Sequence, residues 1–174
     1  MWRLLAPQGK DKDAMLTILF DQSGSLAGCR MQKVKTIVKN FMDTCKQLGT
    51  PIAVYGHTAD TEGKDLVMIP YIDFEGNQIE DINNACARAN NYDGAAIRFI
   101  TENIKNFNDN KVIIITDGLP ACYSYYGSEG IQDTKDAVQD LKKYSEVTTM
   151  LLSGPYIKDD KEDLENIYGS ITYI

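Results

Sequence analysis

Residues 14–25, AMLTILFDQSGS, decide how this chain is read. The first seven are apolar apart from one threonine, with no polar alternation, which is the pattern of a strand buried on both faces of a parallel sheet. Asp21, Ser23 and Ser25 then follow, three oxygen-bearing side chains spaced two apart. In an extended segment alternate residues point the same way, so the three can aim their oxygens at one point, and Gly24 lets the backbone come close. A strand of this kind must be covered by helices, so the expected class is α/β.

Working outward, Met31, Val34, Val38, Phe41, Cys45 and Leu48 recur at steps of three and four, one stripe of an amphipathic helix over 31–48 that Gly49 and Pro51 end. PIAVYGHT (51–58) reads as the second strand, and DLVMIPYIDF (65–74) as a third that Pro70 confines to an edge or a bend. IEDINNACARA (79–89) and AAIRFITENIKNF (95–107) have helical spacing, with NNYDG breaking the pattern between them. KVIIITDG (111–118) is a strand. DTKDAVQDLKKYSE (133–146) is a helix with acidic residues in its first turn and lysines late, the order the helix dipole favours. VTTMLLSG (147–154) is a strand, KEDLENIYG (161–169) a short helix and SITYI (170–174) a final strand. Strands alternating with helices imply a Rossmann-like, doubly wound, mostly parallel sheet with helices on both faces. Residues 1–174 form one domain on this reading, with 1–13 as a lead-in.

At 174 residues, 43% of them hydrophobic and 25% charged, the chain is large enough for one well-buried core. A net charge of -7 argues against nucleic acid or an anionic membrane surface as the partner, because both attract basic patches. No apolar run reaches transmembrane length and no signal peptide is recognisable. Cys29, Cys45, Cys86 and Cys122 stand singly and His57 is the sole histidine, so no zinc site is spelled out; the expectation is reduced thiols in a cytoplasmic protein.

In such a sheet, ligands bind beyond the carboxyl ends of the strands where the strand order reverses. FDQSGS and ITDG both place polar residues just after buried strands, which puts Asp21 and Asp117 on one rim. Carboxylates and hydroxyls are hard donors suited to Mg²⁺, Mn²⁺ or Ca²⁺ rather than zinc. The plain alternative is a turn whose serines cap the following helix.

FDQSGS, the middle loop NNYDGAAIRF and IITDGLP, in this order with these helices between them, resemble the three loops of a metal-ion-dependent adhesion site (MIDAS) in a von Willebrand factor A (vWA) domain. The likeness covers nearly all of the chain. YGHTAD, NYDG and TDGLP are most similar to the C-terminal domain of the cobaltochelatase CobT type, and GAAIR is also similar to the NorD branch. The resemblance implies that Ser23 and Ser25 coordinate the metal directly, that Asp21 and Asp117 bind it directly or through water, and that a middle-loop side chain completes the set. Family members usually carry threonine there and this chain has none: register points to Asn91, charge to Asp93. If Asp93 coordinates beside Asp21 and Asp117, a partner carboxylate roughly 4 Å from the one excess negative charge meets repulsion of about 4 kcal/mol at an effective dielectric near 20.

The resemblance further implies a non-catalytic interaction module in a chelatase-type assembly, with another protein as partner: an AAA-type ATPase subunit, or an acidic side chain that completes the metal shell. His57 and Thr58 lie near the same rim and are candidate ligand contacts, the plain alternative being a packed ring and a simple turn; Tyr123, Tyr125 and Tyr126 in ACYSYYG either form an aromatic lip for a partner or pack over the helix they precede. Two other readings compete with the binding module. One is Mg²⁺-dependent phosphoryl transfer or hydrolysis with Asp21 as nucleophile, although no second aspartate and no loop lysine supports it. The other is a metal-free structural domain.

Overall fold

The computed structural model describes residues 14–174 except 61, 63, 124 and 153–156. The expected lead-in at 1–13 therefore lies outside the described residues. Six strands, β1 (Met15–Asp21), β2 (Ile52–Ala59), β3 (Leu66–Ile72), β4 (Asn110–Thr116), β5 (Glu146–Leu151) and β6 (Ile171–Tyr173), form one sheet in the order β3-β2-β1-β4-β5-β6. All neighbours are parallel except β2 and β3, which pair antiparallel at one edge. Pro70 sits on that edge strand, where a missing N–H costs no interior ladder bond. The doubly wound, mostly parallel architecture expected from the strand–helix alternation is the one observed.

Four α-helices cover the two faces: α1 (Cys29–Leu48), α2 (Asp93–Ile104), α3 (Gly127–Leu141) and α4 (Ile157–Tyr168). On one face Leu19, Ala53, Val112, Ile114 and Leu151 of the sheet pack against Ile97 and Ile100 of α2, Val138 and Leu141 of α3, and Leu164 and Ile167 of α4. On the other, Ile18, Phe20, Val54, Ile113 and Ile115 meet Met31, Val34 and Val38 of α1. Alternate residues of β1 thus enter opposite cores, which is why residues 15–20 show no polar alternation. Each such fully buried aliphatic side chain contributes about 1.5–3 kcal/mol. Gly49 ends α1 in the left-handed region (φ 67°), a conformation that other residues adopt at a steric cost.

The segment 79–89 departs from its helical expectation. A single 3₁₀ turn, Ile82–Asn84, forms there, capped by the Asp81 side chain accepting from the Asn83 N–H. Ile82 and Ala85, three apart, do enter the core beside α1, so the apolar spacing is real but spans one turn only. Beyond this turn the backbone is tied to the first loop instead: the Arg88 N–H donates to Gln22 O at 2.7 Å and the Gly24 N–H to Ala89 O at 2.7 Å. Tertiary hydrogen bonds here replace those of a helix. The fourth expected helix is also displaced. α3 begins at Gly127, six residues before Asp133, so its first-turn acid is Glu129 and the dipole argument does not apply to Asp133.

Candidate functional site

Asp21 is the last residue of β1, and Asp117 follows the last residue of β4. β1 pairs with β2 on one side and β4 on the other, so chain order reverses at this point. The two carboxylates therefore stand at the carboxyl end of the sheet at its topological switch point, the place where open α/β sheets bind ligands.

The three side chains of the first loop converge, though not by extended alternation. Ser23 is extended (φ -66°, ψ 163°), but Gly24–Leu26 coils into a 3₁₀ turn that carries Ser25 back over Ser23. Ser23 donates to Asp21 from its backbone N–H (2.6 Å to Oδ1) and from its hydroxyl (2.7 Å to Oδ2). The Ser25 hydroxyl donates to Asp117 Oδ1 at 2.8 Å, and the two serine Oγ atoms lie 2.9 Å apart. Each hydroxyl has one proton. With both protons given to the carboxylates, the two serine oxygens face each other with lone pairs.

Asp21 is fully buried, and that burial pushes its carboxyl up from 3.8 to about 7; the Ser23 hydrogen bonds oppose the shift and the charge of Asp117 adds to it. Burial also raises Asp93 well above the ordinary carboxylate range, helped by the charges of Asp21 and then Asp117. Asp93 opens α2, so the middle loop places a third carboxylate in the same electrostatic environment. Asn91 is used differently. Its Oδ1 accepts from the Ala121 N–H at 2.7 Å, while its Nδ2 donates to Asp93 Oδ2 at 2.8 Å and to Leu119 O at 3.3 Å. It clasps the middle loop to the third.

His57 and Thr58, expected near the rim, are both buried and offer no surface to a partner. His57 Nε2 lies 3.7 Å from Asp93 Oδ1, its Nδ1 has no hydrogen-bond partner, and burial lowers the imidazole to about 4, so it is neutral. Thr58 Oγ1 donates to Asn90 O at 2.8 Å and accepts from the Ala89 N–H at 3.3 Å, fastening the middle loop to β2. The aromatic lip is also smaller than expected. Tyr123 is 81% exposed and Tyr126 is exposed too, but Tyr125 is only 8% exposed. Its ring packs edge-on against Tyr92, and its hydroxyl accepts from the Gly94 N–H at 3.1 Å and lies 2.7 Å from Asp133 Oδ2. A phenol with neighbours on α2 and α3 fixes the start of α2 rather than meeting a partner.

Two residues of the site were missed in the sequence. Gln22, fully buried, donates from Nε2 to Cys86 O at 2.9 Å and accepts from the Tyr71 hydroxyl at 3.2 Å, which holds the first loop down. Arg30 donates from Nη1 to Asp117 Oδ2 at 2.8 Å and to Ser25 O at 3.1 Å. A cation in the first turn of a helix, where the dipole disfavours it, was the available signal for Arg30.

Among the described residues, no three Asp, Glu, His or Cys side chains gather closely enough to hold a metal by themselves. The candidate donor set is instead mixed, two hydroxyls with carboxylates. Its chemistry fits a hard cation. Ligands about 2.0–2.1 Å from an octahedral Mg²⁺ lie about 2.8–3.0 Å apart at adjacent positions, whereas ligand distances of about 2.3–2.6 Å for Ca²⁺ need wider spacing. The 2.9 Å between the serine oxygens is an ordinary hydrogen-bond distance and also the spacing that adjacent Mg²⁺ ligands take.

No protein-family model matches the chain. It is 27% identical over 173 aligned residues to the uncharacterized protein YojO of Bacillus subtilis, covering 92% of this chain and 27% of that protein's length. The chain therefore spans about a quarter of that relative. Among solved structures it superposes on the pilus adhesin SpaC of Lactobacillus rhamnosus GG with a TM-score of 0.70 at 16% identity, covering 96% of this chain and 28% of SpaC. It superposes on the PilB minor pilin of Streptococcus sanguinis with a TM-score of 0.61 at 14% identity, covering 99% of this chain and 59% of that one. The vWF domain of the type V pili tip protein Mfa5 from Porphyromonas gingivalis gives 0.65 at 9% identity, covering 95% of this chain and 90% of that one. With these superpositions and its strand order, the chain has the Rossmann-like fold of a vWA-type domain.

Proposed function

We propose that this chain is a non-catalytic protein-interaction domain that holds a divalent cation at the β1–β4 switch point, as a MIDAS of the vWA type does. Ser23 and Ser25 bind the ion directly, Asp21 and Asp117 bind it directly or through water, and Asp93 supplies the middle-loop carboxylate. Asn91, whose amide is spent on the loop clasp, positions Asp93. The observation that carries this reading is the pair of serine oxygens 2.9 Å apart, bracketed by Asp21 and Asp117. A bound dication supplies a Lewis-acid position that a partner's carboxylate can fill.

Structural likeness to pilus adhesins and to the Mfa5 vWF domain supports an interaction role over an enzymatic one. The phosphoryl-transfer alternative is disfavoured because Asp21 is wholly buried, with Ser23 on both of its oxygens, and so is poorly placed as a nucleophile. An AAA-type ATPase subunit as partner, and a CobT-type assembly, rest on the sequence resemblance alone. Four free thiols support a reducing, cytoplasmic setting, and among the described residues no helix is long and apolar enough to cross a membrane.

The test is calorimetric titration of Mg²⁺, Mn²⁺ and Ca²⁺ into metal-stripped protein, with Asp21→Ala as control. One ion bound per chain, Mg²⁺ or Mn²⁺ in preference to Ca²⁺, and lost in the variant, is the expected result. Binding that Asp21→Ala leaves unchanged, or no binding of any of the three, overturns the reading in favour of a metal-free structural domain.

A further inference from the structure

Asp117 brings two carboxylate oxygens to the centre and both are engaged. Oδ1 accepts from the Ser25 hydroxyl and Oδ2 from Arg30, each at 2.8 Å. The same Arg30 nitrogen reaches Ser25 O at 3.1 Å, so one guanidinium N–H group spans two of the residues that a cation would need. The other Arg30 nitrogens, Nε and Nη2, donate to no acceptor among the described residues, and the side chain is 26% exposed, so it opens in part to solvent. The helix dipole at the start of α1 opposes a cation there; the carboxylate is what holds it.

We infer that Arg30 is a resident cation of this centre that competes with the divalent ion for Asp117. The inference rests on the metal-binding reading above and adds a regulatory element to it. Hydrogen bonds from Ser25 and Arg30 to Asp117 tie the third loop to the first loop and to α1. A dication at the serine oxygens would draw on Asp117 through Oδ1, the oxygen beside Ser25, and would repel the guanidinium that holds Oδ2 of the same carboxylate, favouring its turn toward solvent. Metal affinity is thereby set by a residue outside the DxSxS and TDG motifs, and the state of Arg30 reports whether the centre is loaded.

Mg²⁺ titrations into metal-stripped wild type, Arg30→Gln and Arg30→Lys test this, together with thermal unfolding of each with and without Mg²⁺. Loss of one charge-assisted hydrogen bond from the competing state predicts Mg²⁺ binding on the order of ten- to a hundredfold tighter in Arg30→Gln. Arg30→Lys, which keeps the charge on a shorter side chain, falls between. The unfolding data separate competition from a merely structural role: Arg30→Gln melts below wild type without Mg²⁺ and gains more from saturating Mg²⁺ than wild type does. Equal or weaker Mg²⁺ binding in Arg30→Gln overturns the inference while leaving the metal site standing. Absence of binding in all three proteins removes both.

Discussion

Asp21→Asn should change how stability depends on pH, and the size of the change is set by burial. In the folded metal-free protein the Asp21 carboxyl is pushed from 3.8 to about 7 by desolvation. A carboxyl with a raised folded pKa binds more protons in the native than in the unfolded state, so its stabilising contribution is fully present below about pH 4 and is lost as pH rises toward 7. About three pH units at 1.36 kcal/mol each make this loss roughly 4 kcal/mol. Asp93, also raised, acts in the same direction. His57 acts oppositely: its folded value near 4 lies below the ordinary 6.5, so stability rises by about 3 kcal/mol as pH climbs through that interval. The wild-type curve sums these opposing contributions and by itself does not single out Asp21.

The difference between wild type and Asp21→Asn removes the His57 contribution, which is common to both, and reports the Asp21 carboxyl together with its effect on Asp93. The amide keeps the shape and can still accept from the Ser23 N–H that now bonds Oδ1. Urea unfolding of metal-stripped protein from pH 4 to 8 should find the two similar at pH 4 and the variant more stable at pH 8, by as much as about 4 kcal/mol. Saturating Mg²⁺ should close the gap at pH 8 by stabilising only the wild type, since a cation beside the buried carboxylate offsets its desolvation. Parallel wild-type and variant curves across this range would refute the burial argument. A gap that Mg²⁺ leaves open would refute the role given to Asp21.

The same geometry sets two further outcomes. Gly56→Ala drives a Cβ into Gln22 Oε1 and to 2.7 Å from its Cδ, so the buried amide must move and its bonds to Cys86 O and the Tyr71 hydroxyl are lost. Overpacking with unsatisfied polar groups costs about 2–5 kcal/mol, read as a lower urea midpoint with unchanged slope; a cost under about 0.5 kcal/mol shows that Gln22 is not a lock. Asp93→Asn removes one of three carboxylates, so Mg²⁺ binding should weaken about tenfold or more while acetate binds the Mg²⁺-loaded protein more tightly. Calorimetry reads both, and unchanged acetate binding counts against Asp93 as a member of the centre.

How much of the molecule was legible in the sequence divides along the range of the interactions. β1, β4 and α1 declare themselves through local pattern: Ile113, Ile114 and Ile115 are consecutive and buried because the sheet is covered on both faces, and Met31, Val34 and Val38 share one helix face. Residues 79–89 do not, because one helical turn at Ile82–Asn84 gives the same apolar spacing as a helix, and the rest is decided by bonding to Gln22 and Gly24, about sixty residues earlier. The site divides the same way. Asp21, Ser23, Ser25 and Asp117 follow buried strands and could be read from position alone. The use of the Asn91 amide could not, because it bonds Ala121 N–H and Leu119 O, backbone groups of a loop distant in sequence. Tyr125 stayed open between an exposed lip and a packed ring, since nothing near it in sequence reveals that Gly94 and Asp133 bond its hydroxyl. Arg30 is the most instructive case. Its five-residue offset from Ser25 and its place in the first turn of α1 are visible in one dimension, yet its partner Asp117 lies 87 residues away. The motif supplies the oxygens of the centre, but the cation already paired with them comes from a helix whose sequence is otherwise explained by the core it covers.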